Sequence, residues 1–498
     1  MEQVKASTKK NSAILAIVTI VVVLLLVILV KEKYLPKLEC KYIDRGNNNF
    51  SNERYRLAVI DYTIVLVINP NCASAYLNRG LSFAQLGDTQ RAIADYNKVL
   101  EIEPNNKMAY LHRGNAYSKL GEFDLATADF DAAVNLETSD SDTYIWKGLS
   151  YQSQKLYNLA IDEFNRAIQV DPMNKLGYLN RGNVFYDLGE MDLALSDYEQ
   201  VLRIDPLYAG AYIGIGNIFL AREQYHLALL EYDKALAIDP GFKDAYLARG
   251  VVFGLMGQSE EQIAEITKAI KVDPNSKEAF MHRGNVYYWQ GRYDLAFSDY
   301  TAAAKIDKNY ADALYSRGLI YSAKKEYRSA IAEYSKAIKA DPNYTSAYLN
   351  RGLAYYAIQE TDLAMADYDK VSELAPNDIG PYINRGQIYR SQGLYDLALA
   401  ELNKAVEINP NEPIALFGRG LVYYDTENFI EAIADFMKYL ALKQDAQIYC
   451  FIGNSYLQLS EFPEAVYFLE KGVELDHDNA IPWCLDSLNY VYQLSPSP

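Results

Sequence analysis

Small and large apolar residues recur along this chain with a fixed period of 34 residues. Glycine marks the period at positions 46, 80, 114, 148, 182, 216, 250, 284, 318, 352, 386 and 420, and Gly453 follows one residue early. When this glycine is numbered position 8, alanine occupies position 20 in twelve of thirteen units, with large apolar or aromatic residues mostly at positions 4, 11 and 24. Such self-similarity indicates a repeat architecture. The thirteen units run from Glu39 to Asn479.

A second apolar pattern precedes the repeats. Residues 13–30 are apolar except for Thr19, and a helix of about 20 such residues spans the hydrocarbon layer of a membrane. Lys31 and Lys33 make the end of this run a poor cleavage site for a signal peptide. We therefore predict a tail at 1–11, a transmembrane helix at 12–30 and a linker at 31–38. Lysines flank both ends, but the short tail favours a cytoplasmic N-terminus and a repeat domain on the non-cytoplasmic side.

The residues of each unit identify a family. In unit two they are Tyr76, Gly80 and Phe83 at positions 4, 8 and 11, then Ala92, Tyr96 and Pro104 at positions 20, 24 and 32. This pattern resembles the tetratricopeptide repeat (TPR), a helix–turn–helix unit of 34 residues. The resemblance implies an all-α fold, a right-handed superhelical α-solenoid of thirteen TPR units at 39–479, preceded by the transmembrane helix. Residues 480–498 resemble one more first helix, a capping helix, followed by a tail.

Within a unit, we expect the two helices to cross where glycine at position 8 meets alanine at position 20. Glycine at position 15, as at Gly87, suits the left-handed residue that ends a first helix. Proline at position 32 cannot continue the second helix. No unit buries its apolar face alone, so neighbouring units must stack.

Position 7 departs from the usual apolar residue of the family. It is arginine in ten units and lysine in one, while position 23 is Asp or Glu in twelve. Because an isolated buried charge is costly, we expect these residues to pair, within a unit or with a neighbour. Arg79 with Asp95 and Arg283 with Asp299 represent the pairs. The alternative is an exposed arginine ladder that binds acidic peptides.

The resemblance also implies a concave groove lined by the first helices, mainly at positions 2, 5, 9, 12 and 13. Asparagine amides can hydrogen-bond an extended peptide backbone, and apolar and aromatic neighbours would add affinity. The alternative is that these residues serve helix packing or are merely exposed. The candidates are Asn115, Leu179, Asn183, Tyr186, Asn217, Asn285, Tyr288, Tyr356 and Tyr424.

Composition narrows the classes of function. The net charge is −17, which argues against a nucleic-acid binder. Residues 39–498 include 42 basic and 63 acidic residues, so a partner with a basic face is favoured. Most of the 44 tyrosines occupy positions 4, 11 and 24. We expect no catalytic site, metal, cofactor or small-molecule substrate, because the repeats leave no segment for a catalytic domain.

The four cysteines give two pairs to consider. Cys40 and Cys72 occupy positions 2 and 34 of unit one, which can approach each other in a repeat. The sequence leaves open whether they form a disulfide. Cys450 and Cys484 occupy position 5 of adjacent units. Since stacked helices lie about 8–10 Å apart, we expect a disulfide between them to need unusual geometry.

Three functions fit the sequence. The first is a membrane-anchored interaction scaffold that binds a protein or peptide in the groove. The second is a chaperone or assembly factor for membrane or envelope complexes. The third is a regulatory TPR subunit of an enzyme that acts in trans.

Overall fold

The computed structural model describes residues 35–136, 140–476 and 481–494. These ranges form 27 helices and no strand. We number the helices α1–α27, so that odd numbers are the first helices of the repeats (A helices) and even numbers the second (B helices). The chain divides into two compact units at Gly257. The division falls inside repeat seven, between its A helix and its B helix.

The first unit contains thirteen helices. They are α1 (Leu35–Ser51), α2 (Tyr55–Ile68), α3 (Ala73–Gln85), α4 (Thr89–Ile102), α5 (Lys107–Leu120), α6 (Phe123–Leu136), α7 (Ser141–Ser153), α8 (Tyr157–Val170), α9 (Lys175–Asp187), α10 (Met191–Ile204), α11 (Ala209–Ala221), α12 (Tyr225–Ile238) and α13 (Lys243–Leu255).

The second unit contains fourteen helices. They are α14 (Ser259–Val272), α15 (Lys277–Trp289), α16 (Tyr293–Ile306), α17 (Ala311–Ala323), α18 (Tyr327–Ala340), α19 (Thr345–Ala357), α20 (Thr361–Leu374), α21 (Gly380–Ser391), α22 (Tyr395–Ile408), α23 (Pro413–Asp425), α24 (Phe429–Leu442), α25 (Ala446–Gln458), α26 (Phe462–Leu475) and α27 (Pro482–Leu494).

The N-terminal predictions meet the structure only at their end. The tail at 1–11 and the transmembrane helix at 12–30 lie outside the described residues. The predicted linker at 31–38 overlaps α1, which is described from Leu35 onward. In the ranges described, no helix is both long enough and apolar enough to cross a membrane.

In each of the two compact units, successive helices pack against one another and form a TPR solenoid. A helices also contact the A helices of adjacent repeats, for example α5 with α7 in the first unit and α21 with α23 in the second. Because helices on the inner side of a curved stack lie closest together, we assign the A helices to the concave layer. That layer carries positions 2, 5, 9, 12 and 13.

Glycine at position 8 allows the two helices of a repeat to approach, but its contact differs from the expected one. A Cβ built on Gly80 would lie 2.6 Å from Cε1 of Tyr96, the position-24 residue of the same repeat. The same arrangement recurs at Gly216 against Tyr232 and at Gly420 against Phe436. The glycine therefore makes room mainly for a buried ring rather than for the alanine at position 20.

We expect Gly80→Ala to lower the free energy of unfolding by roughly 1–3 kcal/mol, because the new methyl group must displace a fully buried ring. Urea denaturation followed by circular dichroism measures this change. The control is Gly241→Ala, since a Cβ at Gly241 meets only the side chain of Asp239. Equal midpoints for the two variants would show that the ring is not tightly held.

Position 15 ends each A helix in the left-handed conformation. The prediction is confirmed for glycine, as at Gly87 with φ +78°. Seven other repeats place a non-glycine residue there with φ between 58° and 66°. They are Glu53, Lys155, Glu223, Lys325, Gln359, Glu427 and Ser460. The turn geometry is therefore imposed by the fold even where the residue opposes it.

The prediction for the C-terminal cysteines is wrong. Cys450 of α25 and Cys484 of α27 form a disulfide with their Cα atoms 5.4 Å apart. Gly472 of α26 explains the close approach, because a Cβ there would lie 2.5 Å from Sγ of Cys450 and 3.0 Å from Sγ of Cys484. Other repeats have alanine, valine or tyrosine at this position 27. Cys40 and Cys72 are free thiols.

Candidate functional site

A network of ion pairs runs through the repeats at positions 7 and 23. In repeat eight, Nε of Arg283 donates to Oδ2 of Asp299 at 2.8 Å and Nη2 donates to Oδ1 at 2.8 Å. Arg79 makes the same bidentate contact with Asp95, at 2.8 and 2.7 Å. The hydrogen bonds that Arg283 donates to Asp299 raise the pKa of the Arg283 guanidinium. Six of the seven repeats with aspartate at position 23 have this bidentate pair. In repeat one, both donors of Arg45 go to Oδ1 of Asp61, and Oδ2 accepts from Asn49.

The same cations also bridge neighbouring repeats. Nη1 of Arg283 donates to Oγ1 of Thr267 at 3.0 Å, and Nη1 of Arg181 donates to Oδ1 of Asn165 at 2.6 Å. In both contacts the acceptor lies 16 residues before the cation, at position 25 of the preceding repeat. These arginines thus join two helices of their own repeat and a third from the repeat before it.

Glutamate at position 23 does not form the same bidentate pair. Arg385 donates to Glu401 through Nη2 at 2.8 Å, and Arg317 donates to Glu333 through Nη2 at 3.3 Å. A cation three residues after the glutamate can hold it as well. Glu333 accepts from Nζ of Lys336 at 2.6 Å, and Glu231 accepts from Nζ of Lys234 at 2.7 Å. All five glutamate repeats have a lysine or arginine at this position 26. Repeat six, in which Ile215 replaces the arginine, therefore still neutralises its glutamate. The last repeat has neither charge, because Ile452 and Phe468 replace both.

Most asparagines at position 9 have a partner inside their own repeat. Oδ1 of Asn183 accepts from the hydroxyl of Tyr198 at 2.8 Å, and burial raises the pKa of that hydroxyl, which keeps its proton. Asn217 and Asn285 accept in the same way from Tyr232 and Tyr300. Their carbonyl oxygens are thus fixed by the fold, and only their NH₂ groups remain for other contacts.

Asn115 is different from these asparagines. The residue at position 24 of its repeat is Phe130, which has no hydroxyl. Among the described residues, Asn115 has no hydrogen-bond partner, although it is half-buried. Its whole amide is therefore available to a ligand.

The remaining predicted groove residues belong to the same layer but to separate repeats. Leu179 and Tyr186 pack partly against one core cluster in repeat five. Tyr288 lies beside Trp289 and Tyr293, and Tyr424 packs against Phe429 and Phe451. Tyr356 is exposed. The structure places them along a surface and does not gather them into one pocket.

Two clefts lie on the A helices of repeats two to four. The first has a volume of about 140 Å³ and is lined by Leu81, Tyr96, His112, Asn115, Lys119 and Trp146, among others. The second has a volume of about 180 Å³ and is lined by Asn115, Lys119, Phe130, Trp146, Leu149 and Ser150, among others. The two clefts share three residues, so they adjoin one another.

Aromatic rings form the wall between repeats at these clefts. The imidazole of His112 stacks on Tyr96 at 6.0 Å and meets the edge of Trp146 at 6.5 Å. Burial lowers the pKa of His112, so its imidazole is neutral at pH 7. Comparing the repeats with one another does not identify Trp146 or His112 as cleft residues, because the residue at position 6 differs from repeat to repeat. The one usable signal is an asparagine at position 9 in a repeat without a position-24 tyrosine, and it marks both Asn115 and Asn454, whose repeat has Leu469 at position 24.

In the part of the chain that the structure covers, no three His, Cys, Asp or Glu side chains are arranged to hold a metal ion. The clefts contain hydrogen-bonding, apolar and cationic groups. Their chemistry is that of recognition.

Several solved TPR structures resemble parts or most of this chain. YrrB, described as a TPR protein with an unusual peptide-binding site, is 28% identical over 37% of this chain and 95% of its own, with a TM-score of 0.30. The Cut9–Hcn1 hetero-tetramer of the APC/C is 15% identical over 93% of this chain and 98% of its own, with a TM-score of 0.43. Yeast Tom70 is 17% identical over 93% of this chain and 96% of its own, with a TM-score of 0.38. No curated protein matches the chain.

Family models match repeats along most of the sequence. One model, described as Tetratricopeptide repeat, matches residues 73–106 and 176–208. A second model with the same description matches 109–140, 243–276, 345–378, 414–445 and 446–479. A further model, described as TPR repeat, matches 148–189, 216–257, 284–325, 318–359 and 386–426. Because these segments together span more than half of the chain, the protein belongs to the tetratricopeptide repeat family.

Proposed function

We propose that this protein is a membrane-anchored scaffold that binds a protein or peptide partner along its A helices. Exposed apolar side chains occur on both helices of the repeats, and position 19 of the B helices exposes eight leucines. The observation that supports the proposal most is Trp289, at position 13 of an A helix, which is 85% exposed and is the most exposed large apolar side chain among the described residues. With Trp289, eight exposed apolar side chains lie at positions 2, 9, 12 and 13, which face the concave layer. They are Met108, Leu176, Val251, Leu255, Trp289, Leu353, Tyr356 and Ile414. Exposed tryptophan and tyrosine are common anchors of protein interfaces.

Charge and compartment belong to the same proposal. The acidic repeat region favours a partner with a basic face. The segment at 12–30 would anchor the chain, with the repeats on the non-cytoplasmic side. The disulfide between Cys450 and Cys484 supports this side, because structural disulfides persist in oxidising compartments.

Crosslinking in intact membranes tests the scaffold. The test variant carries Trp289→Ser and Tyr356→Ser, because serine occurs at positions 13 and 12 of other repeats. We expect it to lose partners that the unmodified chain retains stoichiometrically. The control is Leu193→Ser with Leu227→Ser, which removes similarly exposed apolar residues from B helices. Survival of every partner in the test variant would refute binding through this part of the A-helix surface.

A further inference from the structure

The two clefts in repeats two to four combine several features that suit a ligand. They adjoin one another, and the side chains of Asn115 and Trp146 line both. The amide of Asn115 has no partner among the described residues, whereas the equivalent amides of Asn183, Asn217 and Asn285 each accept from a tyrosine. A free amide between two clefts provides a donor and an acceptor where a peptide backbone would pass.

The charge at this place is opposite to that of the repeats as a whole. Lys119 lines both clefts, and no acidic residue lines either of them in the described ranges. Lys119 is exposed and has no ion-pair partner there. His112 is neutral, so the ammonium group of Lys119 is the charge at the site. A carboxylate on a peptide ligand would pair with this ammonium by a charge-assisted hydrogen bond.

We propose that these clefts bind an extended peptide segment with two apolar side chains and an acidic residue between or beside them. One apolar side chain enters each cleft, the amide of Asn115 hydrogen-bonds the backbone between them, and Lys119 pairs with the carboxylate. This inference rests on the proposed function, because it names the partner chemistry for one part of the same surface. It differs from the general preference for a basic partner.

Selection from a phage library of random heptapeptides on the full-length protein in detergent tests the proposal. We expect enriched peptides to contain two apolar residues one or two positions apart, with Asp or Glu adjacent. Synthetic peptides of the enriched sequence should bind Asn115→Leu about tenfold more weakly. Leucine is the native residue at this position in other repeats, so this variant should fold.

The charge requirement needs its own variants. Lys119→Gln should weaken binding about fivefold at low salt, and Lys119→Arg should restore it. Lys98→Ala is the matched control, because Lys98 is an exposed lysine of a B helix, and it should bind normally. Enrichment of basic peptides, equal binding to Asn115→Leu, or no enrichment would overturn the proposal. Peptides that need Trp289 and Tyr356 instead would overturn it while leaving the proposed function intact.

Discussion

Replacing Arg283 with methionine is expected to lower the free energy of unfolding by about 3 kcal/mol. The change removes both hydrogen bonds to Asp299, whose side chain is only 6% exposed, and also the bond to Thr267 in the preceding repeat. A buried carboxylate then remains without its cation, and its desolvation is no longer offset. Urea denaturation followed by circular dichroism measures the loss.

Arg292→Met is the control in the same repeat. Arg292 is 42% exposed and pairs with Glu260, which is 73% exposed, and such surface pairs contribute about 0–1 kcal/mol. The two variants remove the same side chain, so a difference between them isolates the buried pair. If Arg283→Met unfolds like the unmodified protein but loses its partner, the arginines form a binding ladder and the structural interpretation is wrong.

Breaking the disulfide between Cys450 and Cys484 is expected to destabilise the C-terminal end by about 3–4 kcal/mol. The bond closes a loop of 34 residues, and cross-linking a loop of this length restricts the unfolded chain to that extent. The double variant Cys450→Ala with Cys484→Ala should therefore show faster hydrogen exchange in α25, α26 and α27. Repeats distant from the bond should exchange as before, because repeats couple mainly to their neighbours.

Reduction gives an independent measurement of the same bond. In the unfolded, unreduced protein, alkylation should modify two cysteines, Cys40 and Cys72, and after reduction it should modify four. Adding reductant to the double alanine variant should change nothing further. Four reactive thiols without reductant would show that the bond does not form, and it would also remove the support for an oxidising compartment.

The period of the repeat was sufficient to predict the helices, because each unit repeats the same glycine, alanine and aromatic positions. It was not sufficient to predict contacts that depend on one local substitution. The disulfide requires Gly472, which occurs at this position in one repeat only. A spacing argument that treats all stacked helices as equally far apart cannot detect this exception.

The candidate site shows the same limit. Sequence analysis grouped the asparagines at position 9, but their hydrogen bonding depends on the residue at position 24. Tyr198 donates a hydrogen bond to Asn183, whereas Phe130 has no hydroxyl to donate to Asn115. The clefts depend on rings from different repeats, His112 and Trp146, that meet only after stacking. The roles of Leu179, Tyr186 and the other groove candidates stay predictions.

The arginine network has a consequence for how such a gene can change its length. Arg283, Arg181 and Arg351 each take a buried acid from their own repeat, and from the preceding repeat each needs only an oxygen at position 25, which Thr267, Asn165 or Ser335 supplies equally. Where position 25 is Met437, the following repeat has Ile452 in place of arginine. Recombination that duplicates or deletes a whole repeat therefore leaves each buried acid with its cation. Adding or removing whole repeats therefore leaves the ion pairs intact, whereas a breakpoint between positions 7 and 23 of a repeat separates an arginine from its acid.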